Sequence, residues 1–191
     1  GQAWLSPPSI GADQYLPTGT TGAIAVEIEA YYINVAVGGR IPFRALIQGQ
    51  VSESVWNFGD GTLTSNCLST THAWSSPGQY AVELTAFNDS YPSGQTATVQ
   101  VHVVERPVHF VALTNPTPAF PFLSWATAAT NLQEAISADS LPGRLILVAP
   151  GVYSNYVSIP NLGPVGMVLS NLVTVQSVAG PTATFIHGNS I

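Results

Sequence analysis

An aspartate stands between two glycines, directly after two alternating aromatics: Trp56, Phe58, Gly59, Asp60 and Gly61 in "VWNFGDGTLTS". In that setting a carboxylate can act as a general base, bind calcium together with Asn57, or close a turn by accepting backbone amides. The first two roles need company. A general base works beside a second titratable or nucleophilic group, and calcium takes about six to eight oxygens. His72, in "TTHAW", has neither a second histidine nor a carboxylate at ligand spacing along the chain. A calcium site at Asn57 and Asp60 is disfavoured by the asparagine, which stands where a second acid would strengthen it. Flanking glycines supply positive φ, and aspartate accepts from amides one or two residues on, so Asp60 reads as the corner of a tight connection.

The remaining chemistry is sparse. Only 7% of residues are charged, against roughly 25% in an ordinary domain, with four arginines, no lysine and a net charge of -6. Arg40, Arg44, Arg106 and Arg144 are scattered singly, and nucleic-acid binding needs a clustered basic footprint. Without lysine there is no Schiff-base chemistry and no phosphate-loop lysine. Cys67 is the single cysteine, so neither an intrachain disulfide nor a cysteine zinc site can form; it reads as a free thiol, with an intermolecular disulfide as the alternative. Between Ser140 and Ile191 there is no Asp or Glu, one arginine and one histidine, His187. A glycosidic carboxylate pair cannot be drawn from that segment, and Glu134 and Asp139 read as surface positions of a helix. No hydrolase, zinc-protease or phosphate-loop motif is present. The expectation is a protein without catalysis, cofactor or membrane span, since no run approaches ~20 apolar residues.

The elements that must position these residues fall into two grammars. Residues 1–21 are rich in Pro, Gly and Thr and read as an extended arm carrying Trp4, Leu5, Ile10 and Tyr15. From 22 to 106 the pattern has period two: Ile24, Val26 and Ile28 against Glu27 and Glu29, then Ile41, Phe43, Ala45 and Ile47, then Tyr80, Val82, Leu84 and Ala86, then Val99, Val101 and Val103. Short alternating strands between Gly and Pro turns predict an antiparallel β-sandwich. Residues 107–123 hold four prolines and mark a junction with His109 in it. From 124 to 191, "SWATAATNLQEAISAD" predicts a helix with Thr130 or Asn131 as N-cap and Leu132, Ala135 and Ile136 on one face. Strands with Pro-Gly and Gly-Pro corners follow it.

The sandwich segment resembles a PKD domain, an immunoglobulin-like module. The motifs are "VWNFGDGT", "THAW" and "SPGQYAVELTAFN", with Asn57 and Trp74 standing where the family has aspartate and tyrosine. The resemblance implies that Trp56, Phe58, His72, Trp74, Gly78 and Tyr80 are structural, with Gly59, Asp60 and Gly61 as the turn. It also makes Asn88, in the sequon Asn88-Asp89-Ser90, a strand-ending residue. Residues 108–191 resemble the start of a right-handed parallel β-helix in large bacterial secreted proteins, with the helix as cap and the following strands as first rungs.

That second resemblance implies an extracellular or cell-surface location and leaves one end of the stack open, since ~3 repeats are normally needed. The chain begins at Gly1 without a signal peptide, as a processed chain or a piece of a longer one. The open end can continue in a longer polypeptide, fold back on the sandwich, or be completed by a neighbouring subunit. The low charge of "NLVTVQSV" and "TATFIHG" favours the last, with Val173, Val175, Phe185 and the arm residues Trp4, Leu5 and Ile10 as contact candidates. The expected function is a non-enzymatic structural protein assembling into a fibre or surface layer with copies of itself or other surface proteins. The alternative is a carbohydrate- or protein-binding adhesion fragment of a longer secreted β-helix protein, polysaccharide-active enzymes included, whose glycan contacts would be Trp4, Tyr91 or Tyr156.

Overall fold

The computed structural model describes residues 19–154, 157–159, 163–165, 167–169 and 172–187. Trp4, Leu5, Ile10, Tyr15 and Tyr156 lie outside the described residues.

The first unit contains β1 (Ala25–Ala30), β2 (Asn34–Ala36), β3 (Ile41–Gln48), β4 (Glu53–Asn57), β5 (Leu63–Ser65), β6 (Ser69–His72), β7 (Gly78–Asn88) and β8 (Tyr91–Val104). They form a sandwich of two sheets, ordered β1-β3-β6 and β2-β8-β7-β4-β5. All pairings are antiparallel except β2 with β8. The period-two pattern buries one side of each strand. Ile41, Phe43 and Ala45 face Trp56, Val82, Leu84, Val101 and Val103 in one apolar core, and Arg44 and Leu46 point outward from β3.

The second unit contains β9 (Val108–Val111), a 3-10 turn (Trp125–Thr127), α1 (Leu132–Ile136), β10 (Arg144–Val148), β11 (Gly151–Tyr153), β12 (Val157–Ile159), β13 (Gly163–Val165), β14 (Val173–Ser177) and β15 (Thr184–Ile186). β14, β10 and β9 form a parallel sheet in which Ile146 lies beside His109 and Val175. β11 and β15 make a second parallel pair, and β12 and β13 an antiparallel hairpin. Of the expected parallel β-helix, the described residues therefore form small parallel sheets of three and two strands, with a hairpin between successive passes.

Two expectations need correction here. The Pro-rich junction contains β9, so it contributes the first strand of the parallel sheet. The helix expected from Thr130 or Asn131 onward is the five residues of α1, preceded by a 3-10 turn. Ala129 is drawn into an extended bridge with Val111, accepting from Ala112 N and donating to Phe110 O. Asp139 consequently lies beyond α1, not on it. The N-cap is Asn131, whose Oδ1 accepts from Glu134 N at 2.9 Å, and Leu132, Ala135 and Ile136 are buried as expected.

Candidate functional site

The turn after β4 carries the one close histidine–carboxylate pair of the sandwich. Gly59 and Gly61 take φ of 77° and 90°. Between them Asp60 Oδ1 accepts from Thr62 N at 3.0 Å, which is the turn role expected of it. The other carboxylate oxygen does something the linear spacing concealed: Oδ2 accepts from His72 Nε2 at 2.8 Å. A carboxylate does stand at contact distance from His72, because the β4–β5 hairpin and β6 bring residues twelve positions apart together. The imidazole stacks on Phe58, with centroids 4.1 Å apart and planes 12° from parallel. The edge of Trp74 closes on it at 4.8 Å.

Aromatic packing continues inward. Trp74 donates Nε1–H to Phe58 O at 3.0 Å and lies against Phe43 and Tyr80. Trp56 donates to Cys67 O at 2.9 Å, so Cys67 contributes a backbone carbonyl to the core while its thiol stays free and half-buried. Asn57 Oδ1 accepts from Gly59 N, and its amide donates to Glu83. Both calcium candidates thus spend oxygens on their own turn, and the described residues gather no group of three His, Cys, Asp or Glu side chains. Gly78 opens β7 and lies against the Tyr80 ring.

Burial raises the Asp60 carboxyl pKa, but the hydrogen bonds from His72 and Thr62 outweigh it and hold the group below its ordinary value. A carboxyl whose pKa falls on folding stabilises the fold above its unfolded pKa, about 3.9, and loses that contribution as pH falls through the folded value. Acidification below about pH 4 is therefore expected to lower the urea midpoint of the sandwich. Asp60→Asn is expected to be less stable at pH 7 and to show a shallower acid decline, read by tryptophan fluorescence at a series of pH values.

A second polar group lies beneath α1. His109 is 3% exposed and Arg144 1%. His109 Nδ1 hydrogen-bonds Pro121 O at 2.8 Å, and Nε2 lies 3.9 Å from Asp139 Oδ2. Arg144 donates to Ile136 O at 2.9 Å and Leu141 O at 3.2 Å, closing the carbonyl end of α1. Burial lowers its pKa, partly offset by Asp139. His109 and Arg144 are thus internal ties of the second unit. Among the assembly candidates, Val173 and Val175 are half-buried against the second core and Phe185 is 47% exposed. Tyr91 is half-buried at the start of β8.

An aromatic-cored sandwich of two sheets, with a Gly-Asp-Gly corner pinned by a histidine, defines an immunoglobulin-like module. Residues 30–103 match the family model of the PKD domain, and the sandwich is a PKD domain. Among curated proteins, none matches the chain. Of solved structures, a carbohydrate-binding module of the β-sandwich superfamily is similar at 18% identity and TM-score 0.41, over 51% of this chain and 39% of that one. The PKD1 domain of Vibrio anguillarum Epp is similar at 23% identity and TM-score 0.33, over 44% of this chain and 98% of its own. The PKD domain of the human VPS10 domain-containing receptor SorCS2 is similar at 21% identity and TM-score 0.38, over 55% and 97%.

Proposed function

We propose that the chain is a non-enzymatic structural module of an extracellular or cell-surface protein, in which further parallel strands complete the β14–β15 edge into a β-helix-like stack. Strands supplied by a neighbouring copy would join subunits head to tail into a fibre or layer. The supporting observation is an asymmetry between the two edges of the parallel sheet. The outer edge of β9 is closed by its own chain: Phe110 N donates to Phe122 O at 2.8 Å and Ala129 N to Phe110 O at 2.9 Å. No strand lies alongside the outer edge of β14 among the described residues. Leu172 and Val178 flank β14, Phe185 and Ile186 lie on β15, and all four are exposed, without the charged residues that normally keep an edge monomeric.

The absence of catalysis in this reading rests on the missing carboxylates after Asp139 and on the packing of His72 and Asp60 into an aromatic brace. The extracellular location rests on the PKD domain, a module typical of extracellular proteins. No helix among the described residues is long and apolar enough to cross a membrane.

A second reading has its own observation. β9, β10 and β14 follow one another along one chain and stack in register, as successive coils of a single polypeptide do. On that reading the module is an adhesion or binding segment of a longer secreted protein. Negative-stain microscopy with intact mass and light scattering on native material separates the two. Fibres built from a 20.0 kDa chain, dispersed by Gln176→Lys on the β14 edge, are the expected result. Monomers at all concentrations, or a far heavier parent chain, would overturn copy-to-copy completion and leave the second reading.

A further inference from the structure

We propose that the cavity between the sandwich and the parallel sheet binds a carboxylated sugar, a uronate. This deepens the binding reading above and is independent of strand completion. The cavity has a volume of about 330 Å³ and is lined by residues 38–40 of the turn before β3, by Arg106 and Gly143, and by residues 172–174 at the start of β14.

Its walls are held together before any ligand arrives. Ala36 N donates to Pro142 O at 2.8 Å, Gly143 N to Leu172 O at 2.7 Å, and Arg106 Nε to Gly143 O at 2.9 Å. Gly39 and Gly143 touch backbone to backbone: a Cβ on Gly143 would stand 2.7 Å from Gly39 Cα, and one on Gly39 would stand 2.9 Å from Gly143 Cα. Glycine at both positions lets the two units close, which leaves backbone groups, not side chains, at the cavity's seam.

Charge selects the ligand. The two other arginines are engaged: Arg44 lies 3.8 Å from Glu29, and Arg144 is buried under α1. Arg40 and Arg106 have no ion pair among the described residues. Among the described residues Arg40 makes one side-chain hydrogen bond, from Nη1 to Thr71 Oγ1 at 3.1 Å, and Arg106 makes the Nε bond to Gly143. Two guanidinium groups with unused donors therefore border one cavity, with no carboxylate in its lining, on a chain of net charge -6. Carboxylate is the planar anion a guanidinium fork takes in two parallel hydrogen bonds.

The rest of the lining favours a sugar as the carrier of that carboxylate. Thr174 brings a hydroxyl, the glycines bring backbone donors and acceptors, and Leu172 and Val173 bring an apolar wall. A pyranose has a polar rim and an apolar C–H face to match. A bare phosphate would leave the apolar wall unused, and a peptide strand would run along the β14 edge instead of filling the cavity. The volume is at the small end of the range for ligand sites, about 300–1,000 Å³, which suits a single ring at the end or side of a glycan.

The test is titration of the full chain with galacturonate and a short oligogalacturonate, against the methyl ester, galactose and inorganic phosphate, by calorimetry or ligand-observed NMR. The expected result is saturable binding of the acids, about millimolar for the monosaccharide. Methyl esterification, Arg40→Gln and Arg106→Gln should each weaken it about tenfold or more. Arg40→Gln leaves the Arg106–Gly143 bond intact, so an unchanged melting temperature in that variant separates lost recognition from a loosened joint. Equal binding of the ester, tighter binding of phosphate, insensitivity to both arginine variants, or no binding of the acids would each overturn the proposal. Because binding is read on dispersed monomer and assembly is read by mass, either reading can fail without the other.

Discussion

Asn88→Asp is expected to destabilise the sandwich by about 3 kcal/mol or more, from the cost of leaving buried groups unpaired. Asn88 ends β7 and is 2% exposed. Its amide nitrogen donates to Gly22 O at 3.0 Å and to Gln50 O at 2.9 Å, while its Oδ1 accepts from Ser90 N and Tyr91 N, each at 3.0 Å. One side chain thus ties together the segment before β1, the β3–β4 connection and the β7–β8 turn. Aspartate keeps the two accepted bonds but turns a negative oxygen toward two carbonyls that have lost their donor, in a place with little solvent to screen it. Urea unfolding followed by tryptophan fluorescence measures the effect. A loss under about 1 kcal/mol would mean that the three loops hold their places without Asn88. The same geometry settles how the Asn88 sequon behaves in the folded chain: both amide hydrogens are used, so a glycan on that nitrogen would break the tie.

Asn88 also shows what the sequence could reveal of this unit and what it could not. Strand alternation identified the buried faces of β1, β3, β7 and β8, because a period of two maps directly onto two sides of a sheet. Trp56 and Phe58 were legible as core for the same reason, Trp74 as structural from the PKD resemblance, and "FGDGT" as a turn from its glycines. The partners of the polar residues were not legible. Asp60 and His72 meet only because β4–β5 and β6 lie in facing sheets, and sequence distance carries no trace of that. The bonds of Asn88 to Gly22 and Gln50 span 66 and 38 residues and follow from the packing of three loops at one end of the sandwich.

In the second unit the sequence supplied the cap residue, the buried helix face and the corner-bounded strands, but overstated their regularity. Upstream of the N-cap, Ala126 to Ala129 pass through the 3-10 turn and the Val111–Ala129 bridge, where the edge of β9 offers backbone hydrogen bonds. The arginines looked isolated because Arg40 and Arg106 lie 66 positions apart. Only the Gly39–Gly143 contact, which brings the turn before β3 against the turn before β10, places both at one cavity.

The largest single loss is expected from Trp74→Ala, about 4 kcal/mol by analogy with other buried aromatic truncations. Trp74 is 1% exposed and is the meeting point of the sandwich's aromatics. Phe43 meets it edge-on at 6.2 Å, Tyr80 stacks on it at 5.4 Å, and His72 abuts it at 4.8 Å. Two terms combine, and a second variant divides them. Trp74→Phe keeps much of the ring volume but removes the Nε1–H that Phe58 O accepts, so it should cost about 1–2 kcal/mol, the penalty for one orphaned carbonyl. The remainder belongs to the cavity, which the flanking rings fill only in part. Loss of the indole should also loosen His72 from its place between Phe58 and Trp74, and with it the hydrogen bond that lowers the Asp60 pKa. A double-mutant cycle of Trp74→Ala with Asp60→Asn should then show coupling, the two losses together falling short of their sum. Strict additivity would mean that the histidine keeps its place by stacking on Phe58 alone, and that the corner and the core are braced separately.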